Sequence, residues 1–179
     1  MQYRRAKIPG ASYFFTLVTA QRQKLFADLE NVNLLREAFR HVRQKRPFVV
    51  DAAVILPDHL HCIWTLPQHD ADFPTRWRLI KTYFTKHCDK KYRLFPNRAR
   101  LKKQQQAVWQ YRYWEHCLKD DADFTNHVDY IHYNPVKHRY VERPVDWVHS
   151  SIHVYIRRGI LSEHWGAADI VFPEGVGCE

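Results

Sequence analysis

The chain predicts an α+β domain of the split β-α-β kind, with a central antiparallel sheet, helices on one face, and one further helix after the last strand. Three observations predict it. Short runs of aromatic and β-branched residues alternate with longer segments of helical spacing, in the order β-α-β-β-α-β. Two of those runs meet at a Pro-Asp turn, as a hairpin requires. A final helical segment rich in tyrosine follows the last strand. This order is the ferredoxin-like arrangement.

The elements follow in turn. Ser12 to Thr19, after Pro9-Gly10, is the first strand. Residues 28 to 45 place Leu34, Leu35, Ala38, Phe39 and Val42 at helical spacing, with Asp28 or Asn31 as N-cap and Pro47 as the stop. Phe48 to Leu56 and His59 to Leu66 form the hairpin around Pro57-Asp58. Residues 73 to 91 form a basic helix with Trp77, Ile80, Tyr83 and Phe84 on its apolar side. Residues 96 to 107 are polar and aperiodic and read as a mobile loop. Tyr111 to Leu118 is the fourth strand. Asp120 or Asp121 then caps a helix to about Tyr133, which Asn134-Pro135 should end. From about residue 144 the chain reads as irregular, with Trp147, Tyr155 and Trp165 available to pack back on the body. The domain is expected to span 1–155, followed by an irregular acidic tail over 156–179.

Composition narrows the function. No stretch has the length of a membrane span and no signal-like block follows the N-terminus, so a soluble, cytoplasmic, nucleoid-associated protein is expected. The four cysteines form no C-x-x-C pair, so free thiols are expected rather than a structural zinc site. The net charge of +9 is concentrated: residues 76 to 112 hold twelve Lys or Arg and one acid, Asp89. The last eighteen residues hold four acids, Glu163, Asp169, Glu174 and Glu179, and no Lys or Arg. The basic stretch is interleaved with Trp77, Tyr83, Phe84, Tyr92, Phe95, Trp109 and Tyr111. Guanidinium forks match phosphates and aromatic faces stack on unpaired bases, so the partner is nucleic acid. Base contacts are expected from Arg76, Arg78 and the arm Tyr3-Arg4-Arg5, with Lys81 and Lys137 as further DNA contacts. An acidic tail folded over this basic field would compete with DNA.

The chemistry sits in two motifs. His59-Leu60-His61 lies within an apolar strand run, so both imidazoles project from one face with Cβ atoms roughly 7 Å apart. That is half of a metal site. Cys62 points to the other face, toward the core. The second motif is Val128-Asp129-Tyr130-Ile131-His132-Tyr133-Asn134-Pro135-Val136-Lys137-His138. On a helix Tyr130 and Asn134 share a face. Asn134 offers a carboxamide oxygen suited to hard cations such as Mg²⁺. Tyr130 offers a phenol that can serve as a covalent nucleophile, with Tyr133 as its rival.

Together with Tyr13-Phe14-Phe15-Thr16 and Tyr113-Trp114-Glu115-His116, these motifs give the chain four ordered blocks over residues 3 to 155. In them it resembles the single-tyrosine transposases of the HUH endonuclease superfamily, and more specifically the REP-associated tyrosine transposases. The resemblance implies that His59, His61 and Asn134 bind a catalytic Mg²⁺ or Mn²⁺. It implies that Tyr130 attacks single-stranded DNA at hairpins of repetitive extragenic palindromes, leaving a 5′-phosphotyrosine link and a free 3′-hydroxyl. It favours a monomer, with no membrane partner and no small-molecule substrate. The family often has Gly after Lys-His, where this chain has Arg139. Two other readings stand beside this one. The first is a non-catalytic repressor or chaperone for the same hairpins. The second is a phosphodiesterase that uses water, with Tyr130 structural.

Overall fold

The hairpin strand that carries the two histidines is central, and it is buried on both sides. The computed structural model describes residues 7–96, 98–102 and 106–177. Its strands are β1 (Ser12–Val18), β2 (Val49–Ile55), β3 (His59–Thr65) and β4 (Trp114–Cys117). They form one antiparallel sheet in the order β2-β3-β1-β4. The helices are α1 (Leu29–Lys45), α2 (Phe73–His87), α3 (Arg98–Lys102), α4 (Asp121–Lys137) and α5 (Ile152–Arg157). This is the split β-α-β topology expected from the element order, with α4 added after the last strand.

Period-two alternation divides the sheet's residues between two cores. Tyr13, Phe15, Leu17, Leu60, Cys62 and Trp64 face α1 and α2. There Trp64 stacks on Trp77 of α2 with ring centroids 4.1 Å apart, and Phe48 lies 4.2 Å from Trp64. Phe14, Ala52, Val54 and Ile63 face the other way, against Val128, Tyr130 and Ile131 of α4. Two helices thus cover one face and the tyrosine helix covers the other. Cys62 is on the helix-pair side, as its strand position requires, and Cys62, Cys88 and Cys117 are free thiols.

Capping fits the local chemistry. Asp28, not Asn31, caps α1 by accepting from the Glu30 amide; Asn31 is buried and donates to the Leu25 carbonyl. Asp120 caps α4 by accepting from the Asp123 amide. Three sequence expectations need correction. α2 ends at His87 rather than 91, and a separate 3₁₀ turn covers Lys90–Tyr92. The expected loop over 96 to 107 contains α3, a short run of good helix formers. The region after 144 is not wholly irregular, because α5 forms and Trp147 Nε1 donates to the Ile55 carbonyl while Tyr155 Oη donates to the Asp51 carbonyl.

The largest correction concerns α4, which does not stop before Pro135 but continues to Lys137. Proline forfeits a single amide, and the turn beyond it is closed by other bonds. His138 N–H donates to Asn134, Arg139 N–H to Val136, and Tyr140 N–H to Pro135, at 3.0, 2.8 and 2.9 Å. The last two are the paired bonds of a Schellman closure, which needs a left-handed residue just past the helix. That residue is Arg139, at φ +58°. α4 is also pinned to β2 and to the start of α5: Ser151 Oγ accepts from the Ala53 amide at 2.9 Å and lies 2.8 Å from His132 Nε2.

Two predictions follow from α4. Arg139→Gly relieves the left-handed strain and should stabilise the protein by about 0.5–1 kcal/mol, read from chemical denaturation. A lower midpoint would show that the arginine side chain contributes more than the strain costs. The second concerns acid. Burial, aided by the charge of His153, pushes the His132 imidazole down to about 3. The folded protein therefore keeps His132 neutral while the unfolded chain protonates it below about pH 6.5, so stability falls as pH drops from 6.5 toward 3. One unit below 6.5 this amounts to about 1 kcal/mol. His132→Gln should flatten that part of the stability–pH curve, and an unchanged slope would assign it to other groups.

Candidate active site and nucleic-acid interface

His59 and His61 stand side by side on β3, as the alternation requires, with ring centroids 5.0 Å apart. Both are buried. Each imidazole is oriented through Nδ1. His59 Nδ1 donates to Asp58 Oδ1 at 2.6 Å, and Arg22 donates to the other oxygen of that carboxylate at 3.1 Å. His61 Nδ1 is hydrogen-bonded to Thr16 Oγ1 at 2.8 Å. Burial alone would raise the Asp58 carboxyl. The hydrogen bond from His59, helped by Arg22, outweighs it and holds the acid below the usual carboxylate range. A proton on His59 Nδ1 leaves the lone pair on Nε2, which is the ligand form of imidazole.

α4 crosses this face of the sheet. Tyr130, Asn134 and His138 fall at i, i+4 and i+8 and make one stripe. Its two ends are fixed by contact: the Tyr130 ring lies 5.4 Å from His61, and the His138 ring lies 5.0 Å from His59. Asn134, fully buried between them, is thereby set over the histidine pair. Phe14 backs the group, 5.5 Å from His61 and 6.0 Å from Tyr130. Lys137 donates from Nζ to Tyr130 Oη at 2.8 Å, and its ammonium lies 4.7 Å from the ring centroid. Two imidazoles with hydrogen-bonded backs and a carboxamide oxygen form a donor set that fits a divalent cation. Tyr133 takes a different place. Its hydroxyl donates to Asp169 at 3.4 Å and its ring packs on Phe172, 5.8 Å away.

Among the described residues the acidic tail reaches α4. Phe172 lies 5.5 Å from the Tyr130 ring. Gly177, at φ +68°, lies so close that a Cβ there would overlap the phenol carbons, which is why glycine occupies it. Tyr130 is consequently only 2% exposed. The cover is made by an aromatic ring and bare backbone, while Glu179 lies outside the described residues.

The expected DNA contacts separate. Arg4 and Arg5 lie outside the described residues. Arg76 is only 1% exposed. Its guanidinium donates to Asp70 Oδ2 and to the carbonyls of Arg46, Pro47 and Asp72, so it ties α2 to the chain before β2 and has no surface from which to read a base. Arg78 and Lys81 line a cavity of about 690 Å³ between α2 and residues 106–113. Lys137 is at the tyrosine. A second histidine cluster, which could hold a metal ion by ligand type, lies beside the first. Asp123 takes His116 Nε2 at 2.8 Å, while His127 Nδ1 donates to the Asp123 carbonyl at 2.8 Å and lies 3.0 Å from its carboxylate. Both imidazoles spend the facing nitrogen on Asp123, so the trio works as a proton-bonded clamp between β4 and α4.

Thr16, Asp58, Arg22 and His138 were not singled out from the sequence. Asp58 adjoins His59 and could have been read as its partner. Thr16 becomes visible only through the β1–β3 register, which sets it opposite His61.

No family model matches the chain. Individual relatives do. A REP-associated tyrosine transposase of Escherichia coli K12 is 40% identical over 174 residues, covering 97% of this chain and 96% of the relative. A protein of Haemophilus influenzae whose name also carries the words REP-associated tyrosine transposase is 42% identical over 164 residues, 92% of each chain. A REP-associated tyrosine transposase solved bound to a REP hairpin superposes with a TM-score of 0.78 at 36% identity, over 99% of both chains. Among the described residues no helix is long and apolar enough to cross a membrane. With its fold, its site and relatives of this likeness, the chain belongs to the REP-associated tyrosine transposases.

Proposed function

We propose that the protein is a metal-dependent endonuclease and strand transferase that cuts and rejoins single-stranded DNA at REP hairpins through a 5′-phosphotyrosine link. The observation that carries this reading is the Tyr130 phenol set against His61, with its oxygen held by Lys137. The hairpin substrate is argued from the solved relative, which was bound to one.

The residues divide the work. Asp58 and Thr16 hold the two imidazoles in one orientation. His59, His61 and Asn134 would hold Mg²⁺ or Mn²⁺. Such an ion would polarise the phosphoryl oxygens of the scissile phosphate and offset charge developing there. Tyr130 Oη forms a bond to phosphorus, the bond from phosphorus to the 3′ oxygen breaks, and the phenol proton leaves to solvent while the 3′ oxygen gains one. Lys137 sets a positive charge against the oxygen that loses the proton. Rejoining is the reverse attack by a 3′-hydroxyl. Buried between β3 and α4, the reacting groups work where charges interact more strongly than in water.

A labelled single-stranded hairpin from the host's own repeats, incubated with Mg²⁺ or Mn²⁺ and run on a denaturing gel, tests the reading. A protein-linked band is expected for wild type and Tyr133→Phe, and none for Tyr130→Phe or without metal. Cleavage with no linked band would mean that water is the nucleophile. Binding with no cleavage would leave the repressor or chaperone reading.

One observation bears on that last outcome: Phe172 and Gly177 lie against Tyr130, so the state described is a covered one. Removing residues 169–177 and beyond should expose the phenol and raise the rate of linkage roughly tenfold, the equivalent of part of one buried aromatic ring. An unchanged rate would show that the cover already opens freely.

A further inference from the structure

His116, Asp123 and His127 lie outside the histidine–tyrosine site, and their facing atoms converge. His116 projects from β4, while Asp123 and His127 stand one turn apart in the first half of α4. One nitrogen of each imidazole and one carboxylate oxygen all lie within 4.8 Å of one another. Two of the gaps are much shorter. His116 Nε2 is 2.8 Å from Asp123 Oδ2, and His127 Nδ1 is 3.0 Å from Asp123 Oδ1. The two rings are stacked, 4.9 Å apart and inclined by 21°. Protons bridge the trio in the state described. The same nitrogens can hold a cation in place of those protons.

The donor set selects the class of ion. Two imidazoles and a carboxylate are ligands that zinc takes at three-residue sites, with water as the fourth. Magnesium prefers oxygen and water, so it does not compete well here. A tetrahedral ion with bonds of about 2.0–2.1 Å sets its ligand atoms about 3.3 Å apart. The gaps of 2.8 and 3.0 Å therefore widen by about half an ångström or less. Exposure suits an open fourth position: the His127 side chain is 1% exposed, Asp123 19% and His116 25%. The carboxylate is already oriented, because Asp123 Oδ2 also accepts from the Lys119 amide at 3.0 Å. To take an ion, each ring moves its proton to the far nitrogen. His127 Nε2 is buried without a hydrogen bond, so the shift breaks none there.

We propose that His116, Asp123 and His127 bind one divalent transition-metal ion of the zinc class, which replaces the bridging protons and ties β4 to α4. The place of the site gives it a consequence. Phe14, opposite His116 in the β1–β4 ladder, packs 4.8 Å from His127 and 6.0 Å from Tyr130. His127 itself precedes Tyr130 by three residues on the same helix. An ion there stiffens the part of α4 that carries Tyr130 without touching His59, His61 or Asn134.

The test titrates chelator-stripped protein with Zn²⁺ in excess Mg²⁺, using a chromophoric chelator as competitor to read stoichiometry and affinity. His61→Ala disables the other histidine pair and should still bind one zinc ion per chain. Adding His116→Ala or Asp123→Asn to it should weaken that ion at least about tenfold. Zinc at about a hundredfold excess over its Kd should raise the Tm of His61→Ala by about 5 °C or more, and that of the doubly substituted chains by no more than about 1 °C. Co²⁺ in place of Zn²⁺ should give the strong visible bands of a four-coordinate ion, lost with His116→Ala. His59→Gln supplies the same background if His61→Ala does not fold. Zinc binding that survives both His116→Ala and Asp123→Asn would overturn the proposal. So would its loss in both single-histidine backgrounds, which would assign the ion to His59 and His61, and so would a wild type that binds none.

Discussion

The structure depends on a strand that is buried on both faces. In β3, Leu60, Cys62 and Trp64 must enter one core while His59, His61 and Ile63 enter another. The first requirement is met by the aromatic stack on α1 and α2. The second cannot be met by apolar packing, because buried imidazoles require hydrogen-bonding partners. It is met by Asp58 and Thr16 at one edge of the rings and by α4 across the face. Covering the polar side of β3 and assembling the site are thus one structural event.

That coupling accounts for the way α4 ends. A helix that stopped before Pro135 would place Tyr130 but neither Lys137 nor His138. The extra turn, closed through a left-handed Arg139, brings an ammonium to the phenol oxygen and a second ring to His59. The strain at Arg139 is carried at the point where the site needs the chain to reverse. The clamp at Asp123 holds the other end of the helix to β4, and the bond between His132 and Ser151 holds its middle to the start of α5.

Charge and chemistry occupy different parts of the molecule. The basic, aromatic cavity borders the helix pair, whereas the tyrosine lies on the opposite face under the tail. They meet at one end of the sheet, where Gln110, Val18 and His59 line up. On the proposed reading, phosphate contacts apart from the reacting groups would let affinity and chemistry be tuned separately, since the first is salt-dependent and the second is shielded. Among the described residues the tail meets Tyr130 through the Phe172 ring and the Gly177 backbone.

Local pattern by itself determined the element order, the antiparallel class, the common face of His59 and His61, the opposite orientation of Cys62, and the shared face of Tyr130 and Asn134. These follow from periods of two and 3.6 residues and from caps such as Asp28 and Asp120, which act within a few residues. Tertiary structure alone decided what lay farther apart in sequence. Strand register set Thr16 against His61, and helix–sheet packing set the Tyr130 ring against His61 and the Tyr133 ring against Phe172. Arg76 was withdrawn from the surface because Asp70 and three carbonyls converge on it, and no charge count reports convergence. The helix outran Pro135 because bonds beyond the proline closed it. Each of these outcomes depends on which distant groups meet, and a one-dimensional pattern carries no record of meeting.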